Sequence, residues 1–84
     1  MNHRTNAAFW SHYERLEPDV RRIADKNFVL LTADPQHPSL RFKRVGRLWS
    51  ARVGLNHRAL CVRRDDDCLW FWIGSHAEYD RLLK

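Results

Sequence analysis

The apolar period of this chain switches from about 3.6 residues to about 2 across one short break, Asp34-Pro35-Gln36-His37-Pro38, and the switch separates helices from strands. Before the break, Asn6 can cap a helix carrying Phe9, Tyr13 and Leu16 at i, i+4 and i+7, and Pro18 closes it. Pro18 and Asp19 open a second helix with Val20, Ile23, Ala24, Phe28 and Leu31 on one stripe, and the two prolines of the break cannot continue it. The pair predicts an antiparallel helical hairpin. Residues 1–5 are too few and too polar to assign; a short edge strand and a frayed end both stay open.

After the break, Leu40, Phe42 and residues 43–45 read as a first strand, 48–53 as a second, 58–63 as a third and 68–73 as a fourth. Turns at 46–47, 54–57 and 65–67 are short, which favours antiparallel neighbours in a meander, one face of which takes the helices. Ser75 followed by Glu78 is a capping-box pattern for a short terminal helix. The expected fold is α+β: an N-terminal helical hairpin packed on a twisted antiparallel sheet of about four strands, then a short C-terminal helix, in one domain spanning residues 1–84.

Four Trp, four Phe and two Tyr supply an economical core, and 44% hydrophobic residues with three Gly and three Pro exclude a disordered basic arm. No apolar run approaches the roughly 18 residues of a membrane span, and the polar N-terminus does not read as a signal peptide, so a cytoplasmic location with no membrane partner is expected. Pairing residue 64 with 67 would set Cys61 opposite Trp70 and Cys68 opposite Arg63, which favours two buried thiols over a disulfide. None of the five His stands at a short ligand spacing from another or from a Cys-x-x-Cys pair, so neither a metal nor a cofactor is expected.

Charge is distributed unevenly. Residues 35–64 contain no Asp or Glu, yet Arg41, Lys43, Arg44, Arg47, Arg52, Arg58, Arg63 and Arg64 supply eight of the fifteen basic groups. Such a field wants an anion, and strands hold its charges in place better than a flexible tail does. A solvated basic face serving only solubility is the plainer alternative. Trp70 and Trp72, two apart on one strand, are expected to share a face; if the aliphatic residues pack on the helices, these rings either stack on unpaired bases or are covered by the C-terminal segment. Arg52 and Arg58 flank the Gly54 turn, and the parity of that turn decides whether they share a face.

RNA can be cut without metal when its 2′-hydroxyl attacks the adjacent phosphorus. Such a site needs a proton acceptor, cations for the phosphoryl oxygens and a proton donor for the leaving 5′-oxygen. His76 and Tyr79 can move protons, and Arg52 and Arg58 can hold the phosphate. At three residues apart, His76 and Tyr79 would lie on neighbouring surface of a helix starting at Ser75, although a Tyr that simply packs on the sheet fits the spacing as well.

The segments His-Pro-Ser-Leu-Arg-Phe-Lys-Arg (37–44), Leu-Trp-Ser-Ala-Arg-Val (48–53), His-Arg-Ala-Leu (57–60) and Gly-Ser-His-Ala-Glu-Tyr (74–79), following two helices, resemble toxins of the RelE/ParE superfamily from bacterial type II toxin-antitoxin modules. The resemblance implies a cognate antitoxin with an acidic wrapping segment. It also implies one of two activities: ribosome-dependent mRNA cleavage in the A site, or inhibition of DNA gyrase. By the resemblance, Arg58 matches the strand arginine of the RelE-type site, and Arg52 a basic position on the strand before it. His76 falls where relatives carry a functional Arg or His, and Tyr79 lies near their C-terminal Tyr or Phe. Arg41, Lys43, Arg44 and Arg47 would belong to the basic surface that contacts ribosomal RNA. Ser50 stands where RelE has a second strand lysine, which passes proton abstraction to His76. The Gly-Ser-His-x-x-Tyr ending favours the endoribonuclease branch; a gyrase inhibitor and a non-catalytic binding module stay open.

Overall fold

A computed structural model describes residues 1–83. The helices fall where their signals lie. Asn6 accepts a hydrogen bond from the Phe9 backbone N–H at 3.0 Å and starts α1 (Ala7–Glu14), while Pro18 at the first turn opens α2 (Pro18–Ala33). Leu16, expected as the last apolar position of the first helix, lies just past α1 and is buried in the loop. At the far end the Ser75 hydroxyl accepts from the Glu78 N–H and the Glu78 carboxylate accepts from the Ser75 N–H, completing a capping box for α3 (His76–Leu82). Those hydrogen bonds to its charged form hold the Glu78 carboxyl below the usual range.

The sheet has five strands in the order β1-β5-β4-β3-β2, with β1 at Asn2–Thr5, β2 at Lys43–Val45, β3 at Leu48–Val53, β4 at His57–Arg64 and β5 at Asp67–Ser75. The strands β2 to β5 form the expected antiparallel meander. Residues 1–5 resolve as an edge strand, and β1 pairs with β5 in parallel because the chain must cross the sheet through α1 and α2 before β2 begins. Phe42 lies outside any strand. The chain makes a 3-10 turn over Pro38–Leu40 after the prolines, anchored by the fully buried Leu40, and enters β2 only at Lys43.

One face of the sheet packs under α1 and α2, bringing Leu31 and Leu40 against Ala51, Val53, Ala59, Cys61, Cys68, Trp70 and Ile73. The other face carries a second cluster of Leu60, Trp72 and Tyr79, with α3 as its cover. The expectation that Trp70 and Trp72 share a face is corrected here. Leu60 pairs with Trp72 while Cys61 pairs with Trp70, so Phe71 is an extra residue in β5, and the bulge inverts the alternation. Trp70 consequently goes under the helices and Trp72 under α3, 4% and 6% exposed, and neither ring is open for base stacking. Cys61 and Cys68 are free and buried, and burial pushes both thiols up, which makes them packing groups rather than nucleophiles.

Candidate functional site

Two concavities stand out among the described residues. The larger, about 460 Å³, lies between α1, α2 and the sheet, with Phe9, Tyr13, Phe28, Leu31 and Trp70 in its lining. Its lining is mainly apolar, with His3, Arg4 and Asp25 among it. The smaller, about 250 Å³, is lined by Arg41, Arg52, Leu55, His57, Arg58 and His76. Three arginines and two histidines are thus among its lining residues, with no Asp or Glu.

Each of these residues is placed by a local cause. The β3–β4 turn is closed by Gly54 at φ +62°, and Ile23 of α2 stands 3.4 Å from where a Cβ on Gly54 would sit. The turn sets Arg52 directly opposite Arg58, which answers the parity question left by the sequence: both point to the face away from α1 and α2. Like charges facing each other across two strands destabilise a sheet, and neither arginine has an acidic partner among the described residues. Arg52 Nε donates to the Gly54 carbonyl at 3.0 Å, and Asn27 of α2 donates to the Arg52 carbonyl at 3.2 Å, bracing the strand from behind. Arg58 Nη1 is 3.4 Å from the buried Ser50 hydroxyl, and its guanidinium lies 5.2 Å from the centre of the Tyr79 ring.

Arg41 enters from the 3-10 turn. It sits in the left-handed region at φ 44°, an uncommon conformation for a residue with a side chain, immediately after the anchored Leu40. His76 is the first residue of α3, and its backbone N–H donates to the Asn56 carbonyl at 2.7 Å, which ties α3 to the β3–β4 turn. The His76 ring stacks on Tyr79 at 5.8 Å, and its Nε2 is 3.5 Å from Asp80, where both side chains are about half exposed.

Of the residues singled out from the sequence, Arg52, Arg58 and His76 meet in the cleft. Tyr79 does not line it; only 7% exposed, it packs with Leu60 and Trp72 and forms a platform under Arg58 and His76. Arg41, grouped by sequence with the nucleic-acid-binding residues, also lines the cleft. Lys43, Arg44 and Arg47 remain exposed and outside it, with Lys43 opposite Ser50 and Arg44 opposite Trp49. His57 was missed because residues 54–57 read as a turn, whereas β4 begins at His57, opposite Ser75. Among the described residues, no group of three or more His, Cys, Asp or Glu could hold a metal ion.

No family model and no curated protein matches the sequence. Solved structures do match its fold. The RelB-RelE antitoxin-toxin complex from Methanococcus jannaschii is similar with a TM-score of 0.75 and 10% identity, over 96% of this chain and 99% of that one. The chain has the RelE/ParE toxin fold. A YoeB/ParE toxin from Agrobacterium tumefaciens gives 0.69 at 14% identity, over 90% of this chain and 99% of that one. The RelBE2 toxin-antitoxin complex from Mycobacterium tuberculosis gives 0.65 at 18%, over 90% and 91%. In this RelE/ParE-like chain the cleft opens on the sheet face that α3 only partly covers, at the end where β3, β4 and β5 meet the Gly54 turn.

Proposed function

We propose that this protein is the toxin of a type II toxin-antitoxin module and acts as a metal-independent, ribosome-dependent mRNA endonuclease. The observation that carries the reading is the cleft itself, lined by Arg41, Arg52, Arg58 and His76 and by no Asp or Glu. That arrangement suits a phosphodiester, because guanidinium groups bind two phosphoryl oxygens at once and keep their charge throughout.

Arg52 and Arg58 hold the scissile phosphate and take up the charge that builds on its oxygens, with Arg41 closing the third side. His76 removes the 2′-hydroxyl proton. The 2′-oxygen then attacks phosphorus and the bond to the 5′-oxygen breaks, the departing oxygen taking a proton from water, to give a 2′,3′-cyclic phosphate and a 5′-hydroxyl. Tyr79 acts here as a positioning residue through its ring. Lys43, Arg44 and Arg47 dock the molecule on ribosomal RNA through salt-dependent contacts. The fold's similarity to proteins solved as antitoxin-toxin complexes supports a cognate antitoxin, whose acidic segment would cover this basic face.

Induced expression followed by mapping of mRNA 5′ ends tests the reading. Growth arrest with cuts phased to ribosomal codons is expected. Arrest without such cuts, accompanied by a DNA damage response and loss of supercoiling in a purified gyrase assay, would replace it with gyrase inhibition.

A further inference from the structure

The cleavage just described asks His76 to take a proton and become a cation in a cleft lined by Arg41, Arg52 and Arg58, whose charges are fixed. Arg58 and His76 share the Tyr79 ring: the guanidinium carbon lies 5.2 Å from its centre, and the imidazole stacks 5.8 Å from the same centre. A base so placed needs a negative charge. Asp80 stands one helical turn after His76 in α3, and its Oδ2 lies 3.5 Å from His76 Nε2. No other carboxylate among the described residues comes within ion-pair distance of that ring, and the neighbouring Glu78 is held by the N–H and hydroxyl of Ser75. Helix stability does not account for the pair. A carboxylate in the last turn of α3 opposes the helix dipole, and an ion pair between half-exposed side chains adds little.

We propose that Asp80 is a positioning residue for the general base, holding His76 in the tautomer that carries its proton on Nε2 and leaves Nδ1 to accept. The assignment rests on the RNA-cleaving reading above. In the opposite tautomer the Nε2 lone pair would face the carboxylate, and Nδ1, already protonated, could take nothing from the 2′-hydroxyl. With Nε2–H turned to Asp80, Nδ1 accepts the 2′-hydroxyl proton as the new O2′–P bond forms. The 5′-oxygen leaves with a proton from water, and solvent later removes the one on Nδ1. Asp80 takes no proton at any stage; its charge steadies the imidazolium against the surrounding guanidinium groups. The 3.5 Å separation shortens to a hydrogen bond when RNA is bound, as catalytic contacts do that are long in the free protein.

The test joins nitrogen-15 NMR of the imidazole rings, in mildly alkaline solution, to cleavage of a defined mRNA on programmed ribosomes, both with the purified full-length protein. His76 should give the Nε2–H spectrum in the parent. Asp80→Asn, whose amide can donate to Nε2, should move His76 toward the Nδ1–H form and lower kcat by about 10–10²-fold with KM unchanged, a smaller loss than the roughly 10²–10⁴-fold expected of His76→Ala. Asp80→Glu should keep the parent tautomer and recover most of the rate. In a His76→Ala background, Asp80→Asn should cost nothing further, because its partner is gone. Parental kcat in Asp80→Asn, an unchanged His76 tautomer, or an equal loss in the His76→Ala background overturns the assignment. A parent that cleaves no mRNA sinks the proposed function whatever the spectra show, whereas a parent that cleaves beside an equally active Asp80→Asn sinks the role of Asp80 alone.

Discussion

Arg52→Ala and Arg58→Ala will each lower the rate of mRNA cleavage by about 10²–10³-fold while the protein stays folded. Few arginines in a small domain should be separable from stability in this way, and the reason is geometric. Arg52 and Arg58 face each other across β3 and β4 with no acidic partner among the described residues, so the sheet bears their repulsion. Removing Arg52 relieves that repulsion and gives up one hydrogen bond to the Gly54 carbonyl, so its melting temperature should hold or rise. Removing Arg58 also gives up its contact with the Tyr79 ring, worth about 0.5–1 kcal/mol at a partly exposed site. Arg58→Lys should recover little activity, since an ammonium cannot grip two phosphoryl oxygens in one plane. Cleavage rates on programmed ribosomes beside thermal melts check both halves. Full activity in either variant, or unfolding of both, would contradict the assignment.

Gly74→Ala should destabilise the protein by about 1–3 kcal/mol, the usual cost of overpacking, and so lower its melting temperature by ~5–20 °C. A Cβ at Gly74 would stand 2.5 Å from Cζ2 and 2.9 Å from Cη2 of Trp72, with Glu78 Oε1 at 3.2 Å. The ring has little room to retreat, because Trp72 is packed with Leu60 and Tyr79 under α3. Displacing it would move Tyr79, the platform for Arg58 and His76, so activity should fall with stability. Gly74 is therefore a close-approach glycine, unlike Gly46, where a Cβ would meet nothing within 4 Å and only the positive φ matters. Thermal denaturation followed by circular dichroism measures the effect; an unchanged melting temperature would show that the ring can move freely.

The helices, the four antiparallel strands and the C-terminal capping box were legible because each has a local cause: Asn6, Pro18, the two prolines of the break, and Ser75 with Glu78. The candidate site was legible only in part. Arg52, Arg58 and His76 carried a chemical reason to be noticed, but their meeting depends on the parity of the Gly54 turn and on the bond from His76 to Asn56, which are properties of pairing and not of composition. That Arg41 lines the cleft was not legible, because its left-handed backbone after Leu40 leaves no mark in the residue pattern. The faces of Trp70 and Trp72 were inverted by a single extra residue, Phe71, and a bulge of that kind is invisible to strict alternation. The parallel strand β1 escaped assignment because four polar residues bury almost nothing, and its place is fixed by pairing with β5.

The chemistry of the cut ends tests the central claim most directly. Purified protein added to ribosomes carrying a defined mRNA should yield an upstream fragment ending in a 2′,3′-cyclic phosphate and a downstream fragment beginning with a 5′-hydroxyl, and Arg58→Ala should yield neither. Intact mRNA with the parent protein, or fragments bearing a 3′-hydroxyl and a 5′-phosphate, would contradict attack by the 2′-hydroxyl in the cleft of Arg41, Arg52, Arg58 and His76.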